Sequence, residues 1–326
     1  MVKLVASIDG GGTKTRVFIC NEHGEEVGFG QGGSSNVASV GVEGMLQSVK
    51  QAFEAARVQG EFVALWAGFA GIGSRTHEEA LDALSGLFQI DRQHIILNND
   101  ASLLCSQLTF TTEPRAVGLI AGTGSIAMAF DGTCMLARAG GFGHMLGDEG
   151  SGYWIGLEGI KEVLRANQQA EISKATTTAT SGESGDGWLG GWQVAVLDAL
   201  GCAPGPSLHL ELIHALDNFA PASKTRVASL SRHVFRGAYE DHEPSAAAIT
   251  KRAAKHLAQV VEPLCTAQGG LIDPSTSALL MSGSLLLVDT FRNDVLQALP
   301  YAFKTVHVIP DTAATAAAAA AKKYLS

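Results

Sequence analysis

An aspartate, a run of three glycines and a threonine lie near the start of the chain, at residues 9–13. Gly11 and Gly12 can adopt backbone angles that are closed to other residues, and the free N–H groups of such a turn bind phosphate oxygens. Thr13 would add a hydroxyl group, with Lys14 beside it. The carboxylate of Asp9, at the end of an apolar strand, could hold Mg²⁺, directly or through water. These residues predict a phosphate-binding turn with a metal beside it, and a plain glycine hairpin is the alternative.

A second glycine turn lies between two apolar runs in the middle of the chain, at Gly122, Thr123 and Gly124. Each turn leads through a second polar turn to a further predicted strand, at 25–29 and at 133–137. The repetition predicts two similarly built halves, each offering a hydroxyl group and a glycine turn to one phosphate chain; chance repetition is the alternative. The Walker sequence is absent, and the dinucleotide fingerprint fails because a strand follows the first turn in place of a helix.

Two polar side chains at the ends of predicted elements are further candidates for ligand contact. Asn36 follows a glycine-rich loop, where it would cap the next helix or make a two-way amide hydrogen bond to a ligand. Asp100 comes after a predicted strand, at the end where α/β sheets bind ligands. Its carboxylate could accept a proton from a substrate hydroxyl. Its alternative role is to cap the helix that follows, and the two roles can coexist.

The stretch 140–156 is the densest combination of glycine and polar residues, which predicts a loop that brings backbone close to a ligand. Asp148 would accept hydrogen bonds from sugar hydroxyls, or either Asp148 or Glu149 would cap the next helix. His144 is predicted to be structural. Later in the chain, the small-residue turn at Gly283 could receive a flat adenine or simply join two elements.

Strands and helices alternate along the rest of the chain, which predicts an α/β architecture. The strands are predicted at 62–69, 95–97, 279–281 and 305–309. The helices are predicted at 42–57, 79–88, 101–107, 153–165, 188–200, 208–217, 224–239, 245–267 and 313–324. A capping box that begins at Thr76 would open the second helix. The stretch 171–187 is predicted to be a linker, and Trp188 and Trp192 are predicted to pack in the core.

The length of 326 residues is sufficient for two domains with sizeable cores. Glu113 and Pro114 mark the expected boundary. It separates an N-terminal domain (1–113) from a C-terminal domain (114–311), and we expect the last helix (312–326) to join the first of these.

The composition excludes several classes of partner. A formal charge of -9 argues against a generic nucleic-acid binder. Five dispersed cysteines without a CxxC pair give no support for a zinc or iron–sulfur site and fit reduced thiols in a cytoplasm. Neither a signal sequence nor an apolar span of about 18 residues is found. We therefore expect a cytoplasmic protein without a nucleic-acid or membrane partner.

These motifs resemble the sugar-kinase, Hsp70 and actin fold, and more narrowly the N-acetylglucosamine kinases with their BadF/BadG/BcrA/BcrD ATPase relatives. Residues 9–13 are similar to the first phosphate motif, 122–125 to the second and 281–284 to the adenosine motif. Within the family, further stretches match in the expected order: 32–36, 100–101 and 141–151. The resemblance implies an α/β, two-domain actin-like ATPase fold with a duplicated ribonuclease H-like motif and an active site in the interdomain cleft.

The resemblance also implies a reaction, in which ATP with Mg²⁺ phosphorylates the 6-hydroxyl of N-acetylglucosamine and Asp100 is the base. Asp9 would hold the metal. The residues expected to bind ATP are Gly11, Gly12, Thr13, Lys14, Gly122, Thr123, Gly124 and Gly283. The residues expected to line the sugar site are Asn36, Asp100, Gly141, Phe142, Gly143 and Asp148. Animal members carry Trp where this chain has Phe142, which leaves the preference for an acetyl group open.

Other functions stay open at this point. A kinase for glucosamine or another amino sugar would use the same machinery. An activator ATPase is disfavoured because no cysteine lies in the glycine–cysteine turn with which those relatives bridge a cluster. A kinase-like repressor is disfavoured because only eight residues precede Asp9, too few for a DNA-binding domain. A catalytically dead sensor stays open, although the presence of Asp9, Thr13, Asp100 and Asp148 together argues against it. The resemblance also makes a homodimer plausible.

Overall fold

Two five-stranded sheets organise the chain in the computed structural model, which describes residues 2–176, 189–217, 223–266 and 269–325. The strands of the first sheet are β1 (Lys3–Gly10), β2 (Thr15–Cys20), β3 (Glu26–Gly32), β4 (Glu61–Phe69) and β5 (Ile95–Asn98). Their order across the sheet is β3-β2-β1-β4-β5. The first three strands pair antiparallel through two hairpins, whereas β4 and β5 extend the sheet in parallel with β1.

The second sheet repeats this plan. Its strands are β6 (Arg115–Ala121), β7 (Ser125–Asp131), β8 (Cys134–Gly140), β9 (Ala278–Ser282) and β10 (Thr305–Ile309). Read from β8, their order is β8-β7-β6-β9-β10, with two antiparallel hairpins followed by two parallel strands. The two sheets therefore share strand order and direction, which confirms the prediction of two similarly built halves.

The helices of the first half are α1 and α2, with a 3₁₀ helix before the second sheet: α1 (Val37–Ala56), α2 (Ser74–Phe88) and the 3₁₀ helix (Asp100–Phe110). The predicted helix 42–57 matches the part of α1 after Gly41, whose φ of 68° interrupts the helix, and misses the first turn, which Asn36 caps. The predicted cap at Thr76 is wrong. The helix begins at Ser74, and the Thr76 hydroxyl accepts a hydrogen bond from the Gly73 N–H at 3.2 Å.

The helices of the second half are more numerous: α3 (Gly152–Thr176), α4 (Gly191–Leu200), α5 (Leu208–Asp217), α6 (Ser223–Ser229), α7 (Ser231–Tyr239), α8 (Pro244–Val261) and α9 (Asp289–Ala298). Helix α3 continues into the predicted linker, of which 177–187 lies outside the described residues. The predicted helix 224–239 is two helices, and the one at 245–267 ends at Val261 because Pro263 has no N–H to continue it. Trp192 is buried as predicted, whereas Trp188 lies outside the described residues.

The last helix, α10 (Thr312–Tyr324), follows the final strand of the second sheet but packs against β1, β2 and β4 of the first. Its short alanine side chains let the backbone approach closely, and the Ser7 hydroxyl donates a buried hydrogen bond to the Ala313 carbonyl at 2.6 Å. Met128 and Phe130 of β7 belong to the same apolar cluster. The alanines of α10 that are buried are Ala313, Ala316, Ala317, Ala319, Ala320 and Ala321. This helix therefore ties the two sheets together.

Two global properties bear on the sequence predictions. Within the described ranges, no helix combines the length and the hydrophobicity needed to cross a membrane. All five cysteines are unpaired, and Cys134 alone among them is exposed.

We expect Ala317→Leu to lower the free energy of unfolding by about 1–3 kcal/mol, because a larger side chain overpacks the contact between α10 and the first sheet. Ala317 is fully buried, whereas Ala318 is only half-buried. Chemical denaturation of Ala317→Leu and of Ala318→Leu as the matched control measures the difference. An equal loss in both variants would show that the tight packing of the alanine face is not what holds this helix.

Candidate functional site

The carboxyl ends of the parallel strands bring the predicted site residues of the first half together. Asp9 of β1 pairs with Gly68 of β4, which pairs with Asn98 of β5. Neighbouring strands lie about 4.8 Å apart, so Asp9 and Asn98 are about 10 Å apart, with Asp100 two residues farther along. The second sheet has an equivalent row formed by Ile120, Ser282 and Ile309. Each half therefore presents its turns at the strand ends, where α/β sheets bind ligands.

The first glycine turn exposes backbone donors. The Gly11 N–H donates to the Lys14 carbonyl at 2.9 Å and closes the hairpin. Among the described residues, the N–H groups of Gly12 and Thr13 have no acceptor. Gly10 must be glycine, because a Cβ there would lie 2.1 Å from the Phe69 ring. The turn is thus held rigidly at its base while its tip is free to bind an anion.

The second turn has the same construction and is also fixed to helix α3. The Gly122 N–H donates to the Gly124 carbonyl at 2.9 Å, and the Gly122 carbonyl accepts from the Gly152 N–H at 2.7 Å. In the described part of the chain, the N–H groups of Thr123 and Gly124 have no acceptor. Two unpaired donors at each turn fit the predicted phosphate binding.

A cavity of about 300 Å³ opens beside the second turn, a size within the range of ligand pockets. The adenosine-type turn forms one wall. Gly283 has φ 99°, and a Cβ there would lie 2.3 Å from the Ala121 carbonyl oxygen, so only glycine fits. The opposite wall was not predicted: it consists of Thr225, Ala228, Ser229, Ser231 and Arg232. These residues lie on or between two short helices about a hundred residues after the turn, and no sequence motif marks them.

Asp9 makes an ion pair that the sequence analysis missed. Arg16 faces it across the β1–β2 hairpin and donates from Nη2 to Asp9 Oδ2 at 2.6 Å and from Nε to the same oxygen at 3.2 Å. The Nη1 atom of Arg16 donates to Asp311 Oδ2 at 2.7 Å. The other oxygen of Asp9, Oδ1, makes no hydrogen bond to a described residue. Burial would lower the pKa of Arg16, but the two carboxylates outweigh it and raise that pKa.

Asp100 is the first residue of its 3₁₀ helix and not its cap. The cap is Asn99, whose side chain accepts from the Ala101 N–H at 3.1 Å. This arrangement corrects the alternative role and leaves the Asp100 carboxyl without a side-chain partner among the described residues. Burial raises the pKa of Asp100, and the negative charge of Asp9 raises it further against the effect of backbone hydrogen bonds.

Asn36 can serve both of the roles that the sequence left open. Its Oδ1 accepts a hydrogen bond from the Ala38 N–H at 3.1 Å and caps α1. Its Nδ2 lies near the phosphate turn, 3.9 Å from the position of a Cβ on Gly12, and donates to no described residue. The amide nitrogen is therefore available to a ligand beside the first turn.

The loop after β8 requires left-handed backbone at several glycines, including Gly141 (φ 68°) and Gly143 (φ 83°). Asp148 is itself left-handed and only 5% exposed. Its carboxylate accepts from the Gly143 N–H at 3.2 Å and lies 3.7 Å from the Lys224 ammonium. It does not cap α3, which corrects that alternative, because the Ser151 hydroxyl accepts from the helix at Trp154 N–H.

The same loop places Asp148 against the second phosphate turn. A Cβ on Gly124 would lie 2.7 Å from Asp148 Oδ2, so the turn and the loop fit together only through glycine. Phe142 is 59% exposed, with the Arg138 guanidinium 5.9 Å from its ring centre. His144 packs edge-on against Tyr153, in line with a structural role.

The predicted residues therefore form two groups. Asp9, Asn36 and Asp100 surround the first turn, whereas Asp148 and Gly283 adjoin the second. No hydrogen bond or ion pair between described residues joins Asp100 to Asp148. Lys14 is exposed at the tip of the first turn.

The metal predicted at Asp9 would have few protein ligands. The described residues contain no group of three or more histidine, cysteine or acidic side chains arranged to hold a metal ion. Mg²⁺ in nucleotide sites is typically bound by one or two carboxylates together with phosphate oxygens and water. Asp9, with its oxygen Oδ1 unbonded, fits such a site as a single carboxylate ligand.

Comparisons with known proteins agree with this geometry. A model of the BadF/BadG/BcrA/BcrD ATPase family matches residues 7–321. A Clostridium acetobutylicum protein named N-acetylmuramic acid/N-acetylglucosamine kinase is 28% identical over 306 residues, 89% of this chain and 90% of that protein. A Vibrio cholerae glucosamine kinase is 36% identical over 168 residues, 49% of this chain and 54% of that protein.

The fold has solved counterparts. A Porphyromonas gingivalis structure, described as a candidate N-acetylglucosamine kinase, matches with a TM-score of 0.64 at 16% identity. The match covers 97% of this chain and 96% of that chain. At this identity the likeness shows the fold alone. Together with the duplicated sheets, it confirms the predicted two-domain actin-like ATPase fold.

We expect Asp100→Asn to raise the free energy of unfolding by roughly 0.5–1 kcal/mol near pH 8, as removal of a strained functional charge commonly does. A carboxyl whose pKa is raised by folding destabilises the fold when ionised. The penalty is complete above the folded-state pKa and disappears below the ordinary aspartate value of about 3.9. The gain should therefore shrink as the pH falls below about 3.9, in denaturation curves measured at about pH 8 and at about pH 3. A loss of stability at pH 8 would contradict the unpartnered, half-buried charge.

Proposed function

Since the chain belongs to the BadF/BadG/BcrA/BcrD ATPase family, we propose that it transfers the terminal phosphoryl group of ATP to the 6-hydroxyl of N-acetylglucosamine, with Asp100 as general base. The observation that carries this proposal is the unpartnered Asp100 carboxyl, half-buried beside Asp9 and the first phosphate turn. The kinase names of its relatives support the substrate class.

The role of Asp100 follows from its surroundings. A carboxylate without a side-chain partner is free to accept the proton of a substrate hydroxyl as that oxygen attacks phosphorus. Because burial raises the pKa of Asp100, the carboxylate is more basic than an exposed aspartate. Only the ionised form can accept the proton, so we expect activity to fall with decreasing pH at a higher pH than the usual aspartate range of about 3.9.

The two glycine turns would hold the phosphate chain. Phosphoryl transfer requires mainly alignment and stabilisation of charge, and the unpaired N–H groups of Gly12, Thr13, Thr123 and Gly124 are suited to both. Gly11, Lys14 and Gly122 complete the phosphate side. Gly283 shapes the turn whose next residue, Ser284, borders the cavity for the adenosine. Asp9 would hold Mg²⁺, which when bound neutralises phosphate charge.

The sugar would lie between the Asn36 amide and the loop after β8. Asn36 offers its free Nδ2, and Gly141, Phe142 and Gly143 form a loop whose exposed aromatic ring can cover a sugar face. Asp148 keeps acceptor capacity for a sugar hydroxyl. We propose that closure of the two halves brings these groups to Asp100 and excludes water.

Glucosamine kinase activity is the second candidate, and the Vibrio cholerae relative supports it. A glucosamine ammonium requires a carboxylate that is not already paired. The Asp148 carboxylate lies 3.7 Å from Lys224, which opposes a second cation there and favours the uncharged acetamide. An activator ATPase is disfavoured because four cysteines are buried and the exposed one, Cys134, starts a regular strand.

We propose the domain limits 1–113 and 114–311, with the helix at 312–326 assigned to the first domain. The unpaired cysteines support a reducing compartment, and we propose the cytoplasm. The homodimer stays a prediction.

We expect Asp100→Asn to lower kcat by roughly 10²–10⁴-fold, the usual contribution of a general base, while sugar binding measured by calorimetry changes little. The matched control is Asp91→Asn, because Asp91 is exposed and its side chain caps nothing. Turnover of Asp100→Asn near that of the control would remove Asp100 from the base role.

We expect ATP consumption with Mg²⁺ to be stimulated most by N-acetylglucosamine in a panel that includes glucosamine, N-acetylmannosamine, N-acetylmuramic acid and glucose. Phosphorus NMR of the product should locate the phosphate on the 6-hydroxyl. A preference for glucosamine would keep the mechanism and reject the proposed substrate. Sugar-independent hydrolysis would reject sugar phosphorylation altogether.

A further inference from the structure

Arg16 is the residue that connects Asp9 to the rest of the fold. We propose that Arg16 is a positioning residue for the magnesium-bound nucleotide: it fixes the Asp9 carboxylate from one side so that the other oxygen can serve the metal. This proposal rests on the proposed function, because it takes ATP with Mg²⁺ as the ligand of the first turn.

The contact geometry supports this role. Arg16 and Asp9 are direct partners across the β1–β2 hairpin, so their side chains lie on the same face of the sheet. Both Nε and Nη2 donate to one oxygen, Oδ2, which holds that oxygen on the Arg16 side. Oδ1 is left without a hydrogen bond to any described residue. A hard cation would therefore find one carboxylate oxygen without a competing donor from the described residues beside the phosphate turn.

The guanidinium is itself anchored. Its Nη1 donates to Asp311 Oδ2, and Asp311 Oδ1 accepts from the Ala313 and Ala314 N–H groups at 3.0 and 3.2 Å. Asp311 thus caps the helix that crosses from the second sheet to the first. The chain of contacts runs from a helix N-terminus through two side chains to Asp9, and such supports hold a functional group in one geometry.

The balance of charges around Asp9 also supports a positioning role for Arg16. Asp9, Asp100 and Asp311 contribute three carboxylates, and Arg16 is the cation paired with two of them. A neutral side chain at position 16 would leave Asp9 free to rotate and would place more uncompensated negative charge near incoming phosphates. Both effects weaken binding of the nucleotide with its metal.

The second sheet contains a matched pair that has no such role. Arg115 faces Asp131 across the β6–β7 hairpin and donates from Nε to Asp131 Oδ2 at 2.9 Å. This pair lies at the end of the hairpin away from the second glycine turn, and both side chains are exposed. Arg115→Met therefore removes the same kind of cross-strand contact without touching the candidate site.

The experiment measures the dissociation constant of a non-hydrolysable ATP analogue, with an imido bridge between its β- and γ-phosphates, by calorimetry with and without Mg²⁺. The dissociation constant without Mg²⁺ divided by the constant with Mg²⁺ is the ratio that reports how much the metal contributes to binding. We expect Arg16→Met to reduce this ratio about tenfold and Arg115→Met to leave it unchanged. An unchanged ratio in folded Arg16→Met would overturn the proposal and leave Arg16 a purely structural role.

Arg16→Lys keeps the proposal testable if the methionine variant does not fold. Lysine retains the charge but cannot bind Asp9 and Asp311 together with a planar fork, so we expect a reduction of the ratio of about threefold. A ratio equal to that of the parent protein would show that charge alone matters and would contradict positioning.

The measurement uses no sugar, so failure of the proposal is distinguishable from failure of the proposed function. A parent protein that binds the analogue but phosphorylates no sugar would reject the sugar kinase and still allow the Arg16 test. A parent protein that binds no analogue would reject both.

Discussion

The whole site depends on close contacts at the strand ends that leave no space for a side chain. A Cβ on Gly10 would enter the Phe69 ring, one on Gly124 would meet the Asp148 carboxylate, and one on Gly283 would meet the Ala121 carbonyl. Glycine at these positions lets turns, loop and neighbouring strands pack together directly. The backbone N–H groups at the tips of the turns have no acceptor among the described residues, and this arrangement supports the proposal that each half binds phosphate.

Helix α10 applies a similar constraint to the relation between the halves. The short side chains of its alanine face let it pack directly on the first sheet, although the preceding strand belongs to the second. Asp311, which caps this helix, also accepts a hydrogen bond from Arg16 of the first hairpin. A change in the relative position of the two halves would therefore shift Asp311 and Arg16 and, through their hydrogen bonds, the Asp9 carboxylate. The geometry of the proposed metal ligand is linked in this way to the geometry of the fold.

The sequence predicted site residues well where the function requires a particular residue type. It predicted them poorly where ordinary surface residues form the site. Both glycine turns, the positions of Asn36 and Asp100 and the two similarly built halves were predicted, because each leaves a local signature of glycine, strand period or strand end. Arg16 was missed because an arginine in an alternating strand is normal on a solvated face. The wall of the cavity at Thr225–Arg232 was missed because ordinary helical residues form it. Asn99, the true cap, lies beside Asp100, and composition alone could not decide between adjacent residues that both cap helices well.

Three of the carboxylates at the candidate site were predicted from the sequence, and their partners separate their roles. Asp9 is held by Arg16, and Asp148 lies beside Lys224 and accepts from a backbone N–H. Asp100 has neither a cation nor a side-chain donor among the described residues, and burial raises its pKa. A carboxylate already held by a cation is fixed in orientation, which suits a ligand for a metal or a hydroxyl. An unpartnered carboxyl group whose pKa is raised by burial suits the acid–base role, so the contacts favour the proposal that Asp100 is the base and that Asp9 and Asp148 serve binding.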